Sequence, residues 1–189
     1  YLKFNAEKTE VMCFSNTTIS PSLSSQLFDS LKISETTRAQ VVRNLGIELD
    51  EHLSMNGHVK KVSAACYSTL RVLRKILPSI PAASRPLVTQ ARVCSRLDYC
   101  NALFLGSHSY VFQRLQQIQS TAARVALGLP KRASASGALA KLHWLPIAQR
   151  VCFKSLCPVY KAINNLGSVF FQSRLSRCTL GRALRSFSS

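Results

Sequence analysis

The sequence predicts an α+β fold that is mostly α, with a small β hairpin or meander at the N-terminus followed by a thumb-like helical bundle. Three observations lead there. Short apolar runs with partial period-2 alternation occupy the first third of the chain. From Ser54 onward the apolar spacing turns helical. The charge changes sign at the same place: residues 1–51 carry five Lys/Arg against seven acids, and residues 52–189 carry twenty against one, Asp98.

The β elements come first. Residues 10–14, 31–33 and 41–49 read as strands, the last with the clearest alternation. Residues 15–30, dense in Ser and Thr and holding Pro21, read as a loop. This gives a β segment over residues 1–53.

A helical unit follows over residues 54–170. Ser54 is placed to cap a first helix that ends near Leu77, before Pro78. Its apolar residues Val59, Val62, Cys66, Leu70, Leu73 and Leu77 fall in a stripe about 80° wide at about 100° per residue. Lys60, Lys61, Arg71, Arg74 and Lys75 fall in a sector of about 140° opposite. A solvated helix face ordinarily mixes both signs through Glu–Lys pairs. This face carries no acid, so phosphate contact is the preferred reading.

Ser84 is placed to cap a second helix, with Pro86 in its first turn, running to about Phe104 and stopping near Gly106. Ser109 opens a third, with Leu115, Ile118, Ala122, Val125 and Leu129 on one face and Gly128 and Pro130 closing it. A short helix is expected over residues 138–142. A last helix runs from Pro146 toward Asn165, and Pro158 is expected to kink or split it. Residues 171–189 form a basic tail with little expected order.

Net charge is +17 over 189 residues. The +19 of residues 52–189 repels itself unless an anionic partner lies beside it, and a nucleic-acid backbone is the first candidate. No apolar run approaches the roughly 20 residues that span a bilayer. A membrane-surface role is disfavoured because the first helix lacks large aromatics in its apolar stripe. The N-terminus, Tyr-Leu-Lys-Phe-Asn, has neither initiator Met nor signal pattern and reads as the middle of something longer. The seven cysteines form no C-x-x-C pair, and most fall at apolar helical positions; they read as free thiols in a reducing, intracellular compartment, cytoplasmic or nuclear. The four His do not combine with Cys at zinc-ligand spacing.

Catalytic chemistry is not visible in the residues. Two-metal phosphoryl transfer needs carboxylates clustered around paired cations. Glu48 and Asp50 on one strand face are the sole metal-like pair, and an exposed strand end explains them better. No phosphate-binding loop or hydrolase elbow occurs. No metal site is assigned.

Five segments together carry a resemblance. They are Leu2-Lys-Phe-Asn-Ala-Glu-Lys-Thr-Glu10; Arg43-Asn-Leu-Gly-Ile47 followed by Asp50 and Leu53-Ser54; Ser95-Arg-Leu-Asp-Tyr-Cys-Asn101; Arg114-Leu-Gln-Gln-Ile-Gln119 with Ala122-Ala-Arg124; and Leu142-His-Trp-Leu-Pro146 followed by Gln149-Arg150. In this order they resemble the C-terminal part of the reverse transcriptase of LINE-type non-LTR retrotransposons, across roughly residues 2–165.

The resemblance implies a right-hand RNA-directed DNA polymerase, with residues 1–53 as the end of the palm and the helices as the thumb and its extension. Lys8 then matches the lysine near the incoming triphosphate, meaningful only with the rest of the palm. Asn44, Leu45 and Gly46 match the turn that grips the primer strand. The helix bearing Lys60, Lys61, Arg71, Arg74 and Lys75 lies on a template–primer duplex, either RNA–DNA or double-stranded DNA, without sequence preference. The family's catalytic aspartates, and the Mg²⁺ they hold, belong to a fingers–palm segment upstream. This chain alone is therefore expected to be an inactive fragment that needs no cofactor of its own. Pro158 and Arg92 depart from the family pattern and suggest a decayed copy. The alternative is a non-catalytic decayed reading frame acting at most as a nonspecific structural or interaction protein. Trp144 reads as a core anchor rather than a base-stacking platform. Asp98 and Tyr99 are expected to pack within the bundle, Asp98 with Arg96.

Overall fold

The computed structural model describes residues 10–14, 25–26, 29–30 and 39–175. A two-stranded antiparallel hairpin, β1 (Val41–Asn44) and β2 (Ile47–Asp50), precedes a helical bundle. The helices are α1 (Asn56–Ile76), α2 (Arg85–Thr89), α3 (Ser95–Asp98), α4 (Ser109–Ala126), α5 (Ala135–Lys141), α6 (Ile147–Ile163) and α7 (Val169–Arg174). α1 and α4 pack along each other, with α2, α5 and α6 against α4.

The expected strand over residues 41–49 is in fact the whole hairpin. Asn44 pairs with Ile47, so Leu45 and Gly46 form a two-residue loop. Both have positive φ, 48° and 84°. That matches the type I′ turn, whose twist suits the right-handed twist of the strands. The expected strand over residues 10–14 reduces to a bridge at Val11, whose carbonyl accepts from the Ala39 amide at 3.0 Å. The expected strand at residues 31–33, and Lys8, lie outside the described residues. Within the expected loop over residues 15–30, residues 25–26 and 29–30 are helical.

Ser54 does not cap α1. Met55 precedes the helix in a left-handed conformation, φ 60°, without a side-chain cap. Asp50 organises this entry instead. Its carboxylate accepts from the Ser54 amide and hydroxyl, both at 2.8 Å, and from the His52 amide at 3.2 Å. The Ser54 hydroxyl then accepts from the Asn56 amide at 3.3 Å. α1 buries Val59, Cys66, Leu70 and Leu73, with His58 and Ser63 beside them, and Val62 is partly buried. Pro78 stops it, and the chain turns through a 3₁₀ segment, Leu77–Ser79.

The expected second helix is broken. A π-helical turn, Gln90–Cys94, joins α2 to α3. The chain then leaves helical geometry at Tyr99, which is extended, passes through Cys100 at φ 49° and closes in a 3₁₀ segment, Asn101–Phe104. Ser84 precedes α2 but forms no side-chain cap, while Pro86 lies in the first turn. α4 begins at Ser109 as expected, and Gly128 after it takes φ 65°. α5 starts earlier than expected because the Ser134 hydroxyl accepts from the Gly137 amide.

α6 runs unbroken through Pro158. The proline ring leaves the Lys154 carbonyl without its helical donor. Both residues are exposed, so water can serve that carbonyl. Trp144 is buried and belongs to the core. Cys66 and Cys94 are core residues, and burial pushes their thiols up to about 11 and about 12. Cys100 and Cys152 are exposed instead. Among the described residues, no helix is long and apolar enough to cross a membrane.

Candidate nucleic-acid interface

α1 presents the face that the spacing predicts. Lys60, Lys61, Arg71, Arg74 and Lys75 are all exposed, opposite the buried stripe. Arg74 and Lys75 occupy the last turn, where the helix dipole favours positive charge. Lys61 departs from the expectation of an unrelieved face. Its ammonium pairs with the Glu48 carboxylate of β2. Glu48 and Asp50 therefore serve different partners rather than one common cation.

Asp98 has a different partner from the expected Arg96. Arg150 of α6 donates from Nε to Oδ1 at 2.8 Å and from its terminal nitrogen to Oδ2. The Asn101 amide adds a contact at 3.4 Å, and the Lys154 ammonium donates to the Asp98 carbonyl at 3.0 Å. The one acid of residues 52–189 is thus turned into an internal ion pair.

The hairpin turn is fastened to the bundle by one long-range bond. The Tyr99 hydroxyl donates to the Leu45 carbonyl at 2.6 Å. Leu45 itself is 81% exposed, an apolar side chain at the tip. Asn44, Leu45 and Gly46 thus form an exposed tip tethered to the bundle through Tyr99. Beside it a hollow of about 550 Å³ is lined by Arg43, Gly46, Lys61, Arg96 and Tyr99, among others.

A further clamp joins α4 to the entry of α6. Buried Gln119 donates to the Leu145 carbonyl at 2.8 Å, and the Gln116 carbonyl oxygen accepts from the Ile147 amide at 2.8 Å. The two glutamines bond each other at 3.0 Å.

No family model, curated protein or solved structure matches this chain. Any functional reading rests on the residues themselves.

Sequence reasoning missed a second cationic surface. Arg71 and Arg74 also line a groove of about 800 Å³ together with Arg85, Arg124 and Lys131. These residues come from α1, α2, α4 and the loop after α4, and no local spacing announces that they meet. The sequence signal that exists is the acid-free stretch from Tyr99 to the C-terminus.

Proposed function

We propose that the chain is the end of the palm and the thumb of a LINE-type non-LTR retrotransposon reverse transcriptase, and that it holds a template–primer duplex through the outer face of α1. The observation that carries this reading is the exposed row of Lys60, Arg71, Arg74 and Lys75 on a single helix face. Asp98, the one carboxylate of residues 52–189, is withdrawn into its pair with Arg150. A surface with this charge contacts phosphates without reading bases.

The contacts among the recognisable segments support the same reading. The Asn44–Gly46 turn is bound by Tyr99, Asp98 by Arg150, and the Leu145–Ile147 entry by Gln116 and Gln119. The bonds of Tyr99 to Leu45, Arg150 to Asp98 and Gln119 to Leu145 each join two of the segments that resemble the family. On this reading the carboxylates and Mg²⁺ that run polymerisation come from a fingers–palm segment outside the chain, and the chain contributes grip rather than chemistry.

The test is duplex binding as a function of salt. With four phosphates neutralised by Lys60, Arg71, Arg74 and Lys75, the logarithm of affinity for an RNA–DNA hybrid falls linearly with the logarithm of salt, with a slope of about −3 to −4. Substituting Lys60 and Lys75 by Ala flattens that slope by about 2. A salt-independent affinity, or a slope untouched by the substitutions, refutes the reading.

A further inference from the structure

The cationic surface does not end at Arg74. The groove of about 800 Å³ beside it has walls from α1 and α4 and carries Arg71, Arg74, Arg85, Arg124 and Lys131 without one carboxylate. Like charges gathered around one hollow repel, and an anion within it relieves them. Two of the guanidinium groups are already fixed. Arg85 donates from Nε to the Ile80 carbonyl at 3.0 Å, and Arg124 donates from Nε to the Ala133 carbonyl at 2.8 Å. Arg85 also donates from a terminal nitrogen to the Pro78 carbonyl at 3.5 Å, and both guanidinium groups keep further N–H donors for a phosphate. Binding to side chains held in place in this way costs less ordering entropy.

The occupant is constrained by what lies next to the cations. Tyr67, 41% exposed, lines the groove and is shared with a second hollow of about 590 Å³. That second hollow is lined by Gln113, Gln117 and Ser120, and the two hollows also share Thr121 and Arg124. Charge, an aromatic face and neutral amides therefore follow one another along the α1–α4 seam. An inorganic polyanion uses the charge alone. A nucleic-acid strand with splayed bases uses all three: phosphates on the arginines, a base on the ring, base edges on the amides. Each hollow has the volume of a small-ligand pocket, which suits a few nucleotides of one strand. A duplex meets a convex helix face more readily than a hollow of this size.

We propose that the α1–α4 groove is a single-stranded nucleic-acid site, with Arg85, Arg124 and Lys131 on the phosphates and Tyr67 stacked on a base. It adjoins the outer face of α1 and shares Arg71 and Arg74 with it, while Lys60 and Lys75 lie outside the groove.

The test uses the full chain and fluorescence anisotropy with two probes, a labelled oligo-dT strand and a labelled RNA–DNA hybrid. Tyr67→Ala weakens oligo-dT binding about tenfold, the size of one lost stacking contact, and leaves hybrid binding within about twofold. Tyr67→Phe keeps the ring and stays at wild-type affinity, which separates stacking from misfolding. Lys131→Ala lowers the salt slope for oligo-dT by about 0.7. Lys60→Ala with Lys75→Ala weakens the hybrid and spares oligo-dT. The proposal fails if Tyr67→Ala leaves oligo-dT binding intact, if it weakens both probes equally, or if inorganic polyphosphate displaces oligo-dT as well as an equally charged strand does. Hybrid binding lost in the wild-type chain, with oligo-dT binding still Tyr67-dependent, refutes the thumb reading and upholds this one. Hybrid binding with no oligo-dT binding does the reverse.

Discussion

Arg150 grips Asp98 with two parallel donors, Nε to Oδ1 at 2.8 Å and a terminal nitrogen to Oδ2. The two side chains are 16% and 19% exposed. This fork geometry ties α6 to the end of α3 across 52 positions of sequence. The pair also has an electrostatic consequence. It takes the one acid of residues 52–189 into the bundle, so Asp98 offsets none of the cations that line the α1–α4 groove.

Asp98→Asn keeps the shape and removes the charge. Hydrogen bonds to charged groups contribute about 1.5–3 kcal/mol, so the variant loses about 2 kcal/mol of stability. For a chain of this size that lowers Tm by roughly 4–8 °C. The double variant Asp98→Asn with Arg150→Met loses less than the two single variants together, because neither charge is then left without its partner. An unchanged Tm in Asp98→Asn shows that the pair contributes nothing.

Leu45 is a second place where the structure departs from local preference. A leucine at φ 48° occupies the region that costs a residue with a side chain about 1–2 kcal/mol. Asn tolerates this conformation at a type I′ turn. Leu45→Asn therefore stabilises the chain by about 0.5–1 kcal/mol in urea titration. Duplex affinity is measured on the same variant. If it drops while stability rises, the exposed leucine is kept for contact with the primer strand. If stability falls instead, the turn does not hold Leu45 in the left-handed region.

Elements with strong local periodicity are legible in the sequence. α1 has an apolar repeat near 3.6 residues and a cationic face opposite, and both survive folding because one side of the helix meets α4. The hairpin was harder. Leu-Gly is not among the dipeptides that announce a type I′ turn, so residues 41–49 resembled one strand. The segment from Ser84 to Phe104 was misjudged because its periodicity is nearly continuous. Its break after Asp98 falls where two tertiary bonds form, from Tyr99 to the Leu45 carbonyl and from Arg150 to Asp98. Arg96 was the nearer partner in sequence, but it projects to the exposed side of α3. The groove was illegible because its cations converge from four separate segments and meet only when α1 packs on α4.

His58 makes stability depend on pH. The imidazole is buried and stacked with the Phe104 ring at 6.2 Å. Burial pushes its pKa below the ordinary 6.5, and the Glu48 carboxylate only partly offsets this. The unfolded chain therefore binds a proton at His58 at higher pH than the folded chain does. The stabilisation is complete above 6.5 and is lost as pH falls through the folded value. Asp50 acts lower down. Burial raises its pKa, but hydrogen bonds from Ser54, His52 and Met55 outweigh that and hold it below 3.8. Its contribution is present above 3.8 and disappears as pH falls through the folded value. Urea titrations at pH of about 7.5 and about 5 separate His58 from Asp50, because of these two groups His58 alone titrates in that range. The wild-type chain is less stable at the lower pH, and His58→Gln removes most of that difference. An identical pH response in His58→Gln places the dependence elsewhere.

Pro158 interrupts the hydrogen-bond ladder of α6 without ending the helix. An exposed proline in a helix interior is about 3 kcal/mol less favourable than alanine, from the lost N–H and the clash with the preceding turn. Its side chain makes no core contact that alanine must replace, since it lies on the exposed side. Pro158→Ala restores a donor to the Lys154 carbonyl and stabilises the chain by about 2–3 kcal/mol, offset slightly by the greater freedom of the unfolded chain. Amide exchange then slows for residues just before and after position 158, while residues of β1 and β2 exchange as before. The position also separates two origins for the proline. If Pro158→Ala raises Tm and leaves duplex affinity unchanged, the proline is a tolerated defect in a helix remote from the binding face. If affinity falls as the helix stiffens, the weak point in α6 is part of how the bundle adjusts to its ligand.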